Sequence, residues 1–113
     1  MPFTTANGIS IHYRLEGTKG PVVALLHEMG GTLDSWDRVA PGLADNFRVL
    51  RYDQRGAGMS EKVRARFDNN TAVEDLEGVL KELKLAAPYH IVAVAASTTI
   101  AVAFNEKHPG DVA

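Results

Sequence analysis

The sequence predicts an α/β fold in which an N-terminal β-hairpin leads into a mostly parallel, doubly wound sheet with helices on both faces. Three observations support this prediction. A hairpin pattern opens the chain, continuous apolar runs follow it as buried strands, and segments with helical periodicity separate those runs. Strands that alternate with helices in this way are typical of a parallel sheet with right-handed crossovers.

The hairpin is predicted from two adjoining patterns. Residues 9–16 alternate between apolar and polar side chains, which is the period of a half-buried strand. Asn7-Gly8 directly before them is a strong two-residue turn signal, because both turn positions need positive φ. Residues 3–5 therefore form the partner strand. The same alternation places His12 on the polar face, where we expect a surface histidine.

The buried strands and the helices follow in alternation. Residues 21–27 (PVVALLH) form a continuous apolar run, as expected for a strand covered on both faces. Thr71 and Glu74 form a capping box at the start of the strongest helix. The full set comprises further strands at 47–52 and 90–94, helices at 34–43, 71–85 and 97–108, and a long loop at 54–70.

Composition excludes several classes of protein. A formal net charge of −2 gives no basic face for nucleic acid. The absence of cysteine excludes disulfides, thiolate metal sites and a cysteine nucleophile. The longest apolar runs are too short to span a bilayer, and no targeting segment is visible. We expect a cytoplasmic protein that contacts neither nucleic acid nor a membrane.

Three segments carry a family resemblance. His27-Glu28-Met29-Gly30-Gly31 follows the first buried strand, residues 53–60 (DQRGAGMS) follow the second, and residues 90–109 span the third strand and the last helix. In this order they resemble the His-Gly-x-Gly-Gly loop, the Asp-x-Arg-Gly-x-Gly-x-Ser loop and the strand–elbow–helix of the α/β-hydrolase family. The resemblance covers essentially the whole chain. It implies a hydrolase, without metal or organic cofactor, that acts on a small substrate at a carbonyl carbon.

The spacing of the flanking histidines decides which residue takes the nucleophile position in the turn between strand and helix. The family pattern has a histidine five residues before the nucleophile and a His-Pro pair thirteen after it. Here His90 lies five residues before Ala95, and His108 lies thirteen after it. The resemblance therefore puts Ala95 at the nucleophile position, with Ala93 and Ser97 as the small neighbours in place of glycines.

An alanine side chain cannot attack a substrate, and two explanations of Ala95 stay open. It is either an engineered replacement of serine or the native residue of a branch whose chemistry needs no covalent intermediate. Ser97 is the rival nucleophile, but aligning it requires an insertion on one side of the elbow and a deletion on the other. The favoured interpretation of Ser97 is a helix N-terminal residue whose hydroxyl bonds nearby backbone.

The resemblance also implies an oxyanion hole made by the backbone N–H groups of Met29 and Ala96. Glu28 stands where the family has a glycine. It either positions or activates water, for which burial must raise its pKa, or is an exposed loop carboxylate.

Further candidates lie close to these positions. His27, Gly30 and Trp36 are candidate substrate-binding residues, and Trp36 is alternatively a packing residue of the first helix. Asp53 and Arg55 are interpreted as structural residues that hold their loop.

The domain prediction is that residues 1–113 form the N-terminal part of a single α/β-hydrolase domain. The triad acid and histidine follow the nucleophile in chain order, so we expect them, and the cap, beyond Ala113. The expected partners are a small-molecule substrate and the missing C-terminal half, as a second chain or as uncut remainder. A dinucleotide-binding domain needs a Gly-x-Gly-x-x-Gly turn, which residues 27–32 do not supply. A non-catalytic protein that binds a small ligand on the same fold remains the alternative.

Overall fold

The computed structural model describes residues 2–63 and 68–113, so part of the loop predicted at 54–70 lies outside the described residues. The strands are β1 (Phe3–Ala6), β2 (Ile9–Glu16), β3 (Val22–Leu26), β4 (Arg48–Tyr52) and β5 (Tyr89–Ala93). The α-helices are α1 (Ala40–Leu43), α2 (Asn69–Glu82) and α3 (Thr98–Lys107). The described residues also include two 3-10 turns, at Leu33–Trp36 and Ala95–Ser97. None of the helices described is long and apolar enough to cross a membrane.

The five strands form one sheet in the order β1-β2-β4-β3-β5. β1 pairs antiparallel with β2, and β2 pairs antiparallel with β4. β4, β3 and β5 run parallel, and the last paired residues of β3 and β5 are Leu26 and Ala93. The predicted fold, an edge hairpin that leads into a mostly parallel sheet, is confirmed.

Helices cover both faces of this sheet. One apolar core lies under α2 and α3 and includes Leu76 and Phe104. A smaller core on the other face includes Trp36 and Ala40, from the first 3-10 turn and α1. Successive residues of β3 point alternately into the two cores, which is why this strand is apolar throughout.

The prediction of one helix over residues 34–43 is wrong. The segment forms a 3-10 turn at Leu33–Trp36 and a short α1 at Ala40–Leu43. Pro41 lies in the first turn of α1. A continuous helix would need the amide of residue 41 as a donor, and proline has none, so the helix must begin anew at this point.

The predicted start of α2 is also wrong. The helix begins at Asn69, and its N-cap is Asp68, whose carboxylate accepts a hydrogen bond from the Thr71 amide at 2.9 Å. The expected capping box of Thr71 and Glu74 is therefore replaced by an aspartate cap three residues upstream. This start brings Asp68 and Asn69 to the edge of the sheet where β3, β4 and β5 end.

β5 is the outer strand of the parallel part of the sheet. Beyond α3 the chain returns to it, and Val112 forms a parallel bridge with Tyr89. The Tyr89 amide donates to the Asp111 carbonyl at 2.7 Å, and the Ala113 amide donates to the Tyr89 carbonyl at 2.8 Å.

Candidate active site

The backbone turns sharply between β5 and α3. Val94 is extended, with φ −132° and ψ 146°, and the next residue, Ala95, has φ +51°. This left-handed conformation is unfavourable for an L-residue by roughly 1–2 kcal/mol. The 3-10 turn that starts at Ala95 then runs directly into α3. We call residues 94–97 the Ala95 corner; Ala95 and Ala96 are exposed on it.

A cavity of about 260 Å³ lies beside this corner, at the carboxyl ends of the parallel strands. Its walls come from the loop after β3, the loop after β4 and the first turns of α2 and α3. Six of the residues singled out from the sequence line it: His27, Met29, Gly30, Arg55, Ala96 and Ser97. The carboxyl edge of a parallel sheet is where ligands of open α/β folds bind.

The loop after β3 forms one wall of this cavity. We call residues 27–31 the Met29 loop. The side chain of Met29 is highly exposed, and Gly30 has φ +82°. The Gly31 amide closes the turn by donating to the Glu28 carbonyl at 3.0 Å. Within the part of the chain that the structure describes, the Met29 amide donates to neither backbone nor side chain.

His27 holds the Met29 loop in place. Its Nε2 accepts a hydrogen bond from the Gln54 amide at 3.0 Å, so the ring proton lies on Nδ1 and is donated to the Glu28 carbonyl at 2.8 Å. The Gln54 side chain donates in turn to the His27 carbonyl at 2.9 Å. Because both ring nitrogens are used, His27 fixes the loop and has no free lone pair for a substrate.

Ser97 fixes the other side of the cavity. Its Oγ accepts a hydrogen bond from the Val94 amide at 2.9 Å and lies 2.7 Å from the Val94 carbonyl oxygen. The hydroxyl is also 3.1 Å from the carbonyl oxygen of Leu26. A buried hydroxyl with these partners is committed to the backbone, which matches its interpretation as a residue that bonds nearby main chain.

Comparison with known proteins identifies the family. A model of the alpha/beta hydrolase fold matches residues 21–113. The chain belongs to the α/β-hydrolase fold family. The resemblance predicted from the three loops is confirmed.

Individual relatives agree with this assignment. The chain is 36% identical over 90 residues to "Probable oxidoreductase EphD" of Mycobacterium tuberculosis, which covers 77% of this chain and 15% of that protein. It is 38% identical over 77 residues to the soluble epoxide hydrolase of Corynebacterium sp. strain C12, covering 68% of this chain and 27% of the enzyme. The enol-lactonase from Burkholderia xenovorans LB400 superposes with a TM-score of 0.92 at 29% identity, over 98% of this chain and 44% of that one. The chain thus spans less than half the length of each.

The surroundings of Glu28 do not favour a role as a general base. Its Oε1 accepts a hydrogen bond from the Ser35 hydroxyl at 2.8 Å, and this bond lowers the pKa of Glu28. A Cβ on Gly31 would lie only 2.1 Å from the same oxygen, so the glycine leaves room for the carboxylate. General base catalysis near neutrality requires a raised pKa, and the structure gives the opposite direction.

Trp36 packs in the smaller core of the hydrolase fold. It lies with Val23, Leu25 and Val49 on the face of the sheet opposite α2 and α3, and it does not line the cavity beside the Ala95 corner. The structure therefore gives it the packing role and does not bring it to the other candidate substrate-binding residues.

The expectation that His12 lies at the surface is wrong. Only 7% of the residue is exposed, and its Nδ1 donates to Asp53 Oδ2 at 2.9 Å. The Asp53 carboxylate also accepts hydrogen bonds from the amides of Leu33 at 2.8 Å and Met59 at 2.9 Å. Burial alone would raise the pKa of Asp53, but these bonds outweigh it and lower the pKa. Asp53 thus joins β2 to the segments that follow β3 and β4.

Arg55 has a partner that the sequence did not reveal. Its Nε and Nη2 donate to the two oxygens of buried Asp75 at 2.9 and 3.0 Å, which raises the pKa of Arg55. Asn7, in the hairpin turn, donates to Asp75 Oδ1 at 2.9 Å. The network joins the hairpin, α2 and the cavity wall, and supports a structural role for Arg55.

Two polar residues of the cavity wall were missed altogether. The Asn69 side-chain amide donates to the Thr99 carbonyl at 3.1 Å, and the Thr99 hydroxyl shares its one proton between the Ala96 carbonyl at 2.8 Å and Asn69 Oδ1 at 3.1 Å. This reciprocal pair joins the first turns of α2 and α3. No spacing rule marks it, because the partners meet only in the folded chain. Among the residues described, no cluster of three histidine or acidic side chains could hold a metal ion.

Proposed function

We propose that this chain carries the nucleophile corner and the oxyanion hole of a hydrolase. The proposed substrate is a small organic molecule cleaved at an ester, lactone, amide or C–C bond next to a carbonyl. One observation carries the proposal: Ala95 is held left-handed between a strand and a helix, beside a cavity lined by both Met29 and Ala96. The family assignment and the enol-lactonase neighbour support it.

The chemistry follows from where charge develops. Attack on a carbonyl carbon puts negative charge on its oxygen, and preorganised N–H donors stabilise that charge. The Met29 amide has no partner among the described residues, and the Ala96 amide stands at the start of the turn into α3. The N-terminus of a helix adds favourable positive potential for an anion. Each donor of such a hole typically contributes about 2.7–4 kcal/mol to the transition state.

Position 95 would present the attacking atom in this arrangement, and alanine presents only a methyl group. The protein would therefore bind and polarise a carbonyl without attacking it through this side chain. The acid and the histidine of the triad are taken to follow position 95 in chain order. A cytoplasmic location without an organic cofactor remains part of the proposal.

A second candidate function is non-catalytic binding of a small carbonyl compound on the hydrolase fold. The lack of a free hydroxyl at the corner favours this function. Ala95 has no hydroxyl group, and the hydroxyl of Ser97 is hydrogen-bonded to main chain. Such a protein would keep the cavity and both amides while lacking the covalent step.

Turnover by matched serine variants of the full-length protein separates these candidates. Ala95→Ser places a hydroxyl at the corner, and Ala96→Ser places one a residue later as the control. With p-nitrophenyl acetate, a γ-lactone and a β-diketone, we expect Ala95→Ser to gain activity by several orders of magnitude, since nucleophile loss costs up to about 10⁶-fold. Ala96→Ser should gain none.

Other outcomes decide between the alternatives. Substrate binding without turnover in either variant would favour the binding protein. Turnover by the alanine form with no gain from Ala95→Ser would point to chemistry without a covalent intermediate and against an engineered block. If neither variant binds or turns over any of the three compounds, the hydrolase proposal fails.

A further inference from the structure

The β3–β5 ladder ends just where the two walls of the candidate active site begin. Leu26 and Ala93 are the last paired residues. Beyond them β3 continues into the Met29 loop, and β5 continues through Val94 into the Ala95 corner. No ladder bond holds the two segments at a fixed separation after this pair, yet an oxyanion hole needs both amides within about 2.7–3.1 Å of the same oxygen.

The Ser97 hydroxyl lies across this gap. It accepts from the Val94 amide at 2.9 Å on the β5 side and is 3.1 Å from the Leu26 carbonyl oxygen on the β3 side. The single hydroxyl proton is shared between the Leu26 carbonyl at 3.1 Å and the Val94 carbonyl at 2.7 Å. The Val94 carbonyl also accepts a hydrogen bond from the Ser97 amide at 3.1 Å. The residue is only 3% exposed, so water does not compete for these bonds.

We propose that Ser97 is a positioning residue whose hydroxyl clamps the Ala95 corner to the end of β3 and so sets the separation of the Met29 and Ala96 amides. The inference rests on the proposed function of those two amides. Leu26 lies three residues before Met29, and Val94 lies two before Ala96, so one buried hydroxyl joins the backbones that carry both donors. The resemblance puts a glycine at this position in the family, and a glycine offers no such bond.

Catalysis is sensitive to this kind of placement. A misplacement of about 1 Å costs on the order of a hundredfold in rate. A purely structural serine would change stability alone, whereas a clamp changes the geometry of the Met29 loop, which is distant in sequence. The response of the Met29 amide to the loss of the Ser97 hydroxyl therefore distinguishes the two roles.

The primary test is an amide spectrum of the ¹⁵N-labelled full-length protein with its native Ala95. Ser97→Ala should shift the Met29 amide signal and speed hydrogen exchange at Val94 about tenfold, as expected for one lost hydrogen bond. Ser97→Thr, which keeps a hydroxyl, should restore both. Thr98→Ala removes an exposed hydroxyl next door and should leave Met29 unchanged. If Ser97→Ala fails to fold, Ser97→Cys, whose thiol bonds weakly, is measured in the same way.

The second test uses turnover in the Ala95→Ser background. There Ser97→Ala should lower kcat by roughly 10–100-fold with KM within about twofold, and Ser97→Thr should recover most of the loss. An unshifted Met29 amide in Ser97→Ala overturns the clamp, even if Ala95→Ser is active. A shifted Met29 amide in a protein that never turns over leaves the clamp standing and counts against the hydrolase proposal.

Discussion

Replacing Gly58 by alanine should destabilise the protein far more than the same change at Gly56, two residues earlier in the same loop. Both glycines have positive φ, +50° at Gly58 and +80° at Gly56. Their surroundings differ. A Cβ at position 58 would lie 2.3 Å from Asp53 Oδ2 and 2.4 Å from Asp53 Cγ, whereas at position 56 it would meet nothing within 4 Å.

The magnitudes follow from these contacts. An alanine forced into the left-handed region costs roughly 1–2 kcal/mol at either position. At position 58 the Asp53 carboxylate must also move, and it accepts hydrogen bonds from the Leu33 and Met59 amides. Hydrogen bonds to charged groups contribute about 1.5–3 kcal/mol each. We therefore expect a loss of about 1–2 kcal/mol for Gly56→Ala and about 3–5 kcal/mol for Gly58→Ala.

Urea-induced unfolding of the wild-type protein and both variants, followed by circular dichroism, measures this difference. If the unfolding curves have equal slopes and different midpoints, the substitutions change the free energy of unfolding and not the surface that unfolding exposes. If the two variants lose the same free energy, the Asp53 carboxylate does not join the loops in the way described, and the reasoning is refuted.

Three further predictions concern stability. Asp75→Ala removes a buried carboxylate that accepts two hydrogen bonds from the partly exposed Arg55 guanidinium and should cost about 1.5–3 kcal/mol. The exposed Glu74→Ala should change stability by no more than about 0.5 kcal/mol, and similar losses for the two variants in thermal unfolding would contradict this. Ala95→Gly should stabilise by about 0.5–1 kcal/mol by relieving the left-handed strain, while Ala96→Gly should destabilise, and the opposite order would exclude a strained corner. The folded pKa of Asp53 lies below its unfolded value, so its contribution is present above about pH 4 and is lost as pH falls through the folded pKa. In a plot of unfolding free energy against pH, Asp53→Asn should therefore lose less stability at acid pH than the wild-type protein. An equal loss in the two proteins would contradict this role of Asp53.

The predictable part of the fold is the part set by neighbours in the chain. The Asn7-Gly8 turn, the alternation of β2 and the apolar run of β3 are local signals, and each element lies where its signal placed it. The position of the corner at Ala95 is predicted by its spacing in sequence from the flanking His90 and His108. The start of α2 was missed by two residues, because Asp68 and Thr71 are both acceptable caps and only the folded loop selects one.

The unpredicted part is set by partners far apart in sequence. The alternation of β2 places His12 on the polar face of the strand. There it is buried and hydrogen-bonded to Asp53, which is 41 residues away in sequence. The bond from Asn7 to Asp75 spans 68 residues, and the one from Ser97 to Leu26 spans 71. Neither periodicity nor motif spacing contains these pairings, since they arise when the loops close over the carboxyl edge of the sheet.

The most direct measurement of the central claim is a titration of the Met29 and Ala96 amides with an oxyanion. Methylphosphonate added to the ¹⁵N-labelled full-length protein should move both amide protons downfield together, with a single Kd. Met29→Pro, which removes one donor, should weaken binding, whereas Met29→Ala, which keeps the amide, should not. Two amides that do not respond, or that titrate with different affinities, would contradict a shared oxyanion hole beside position 95.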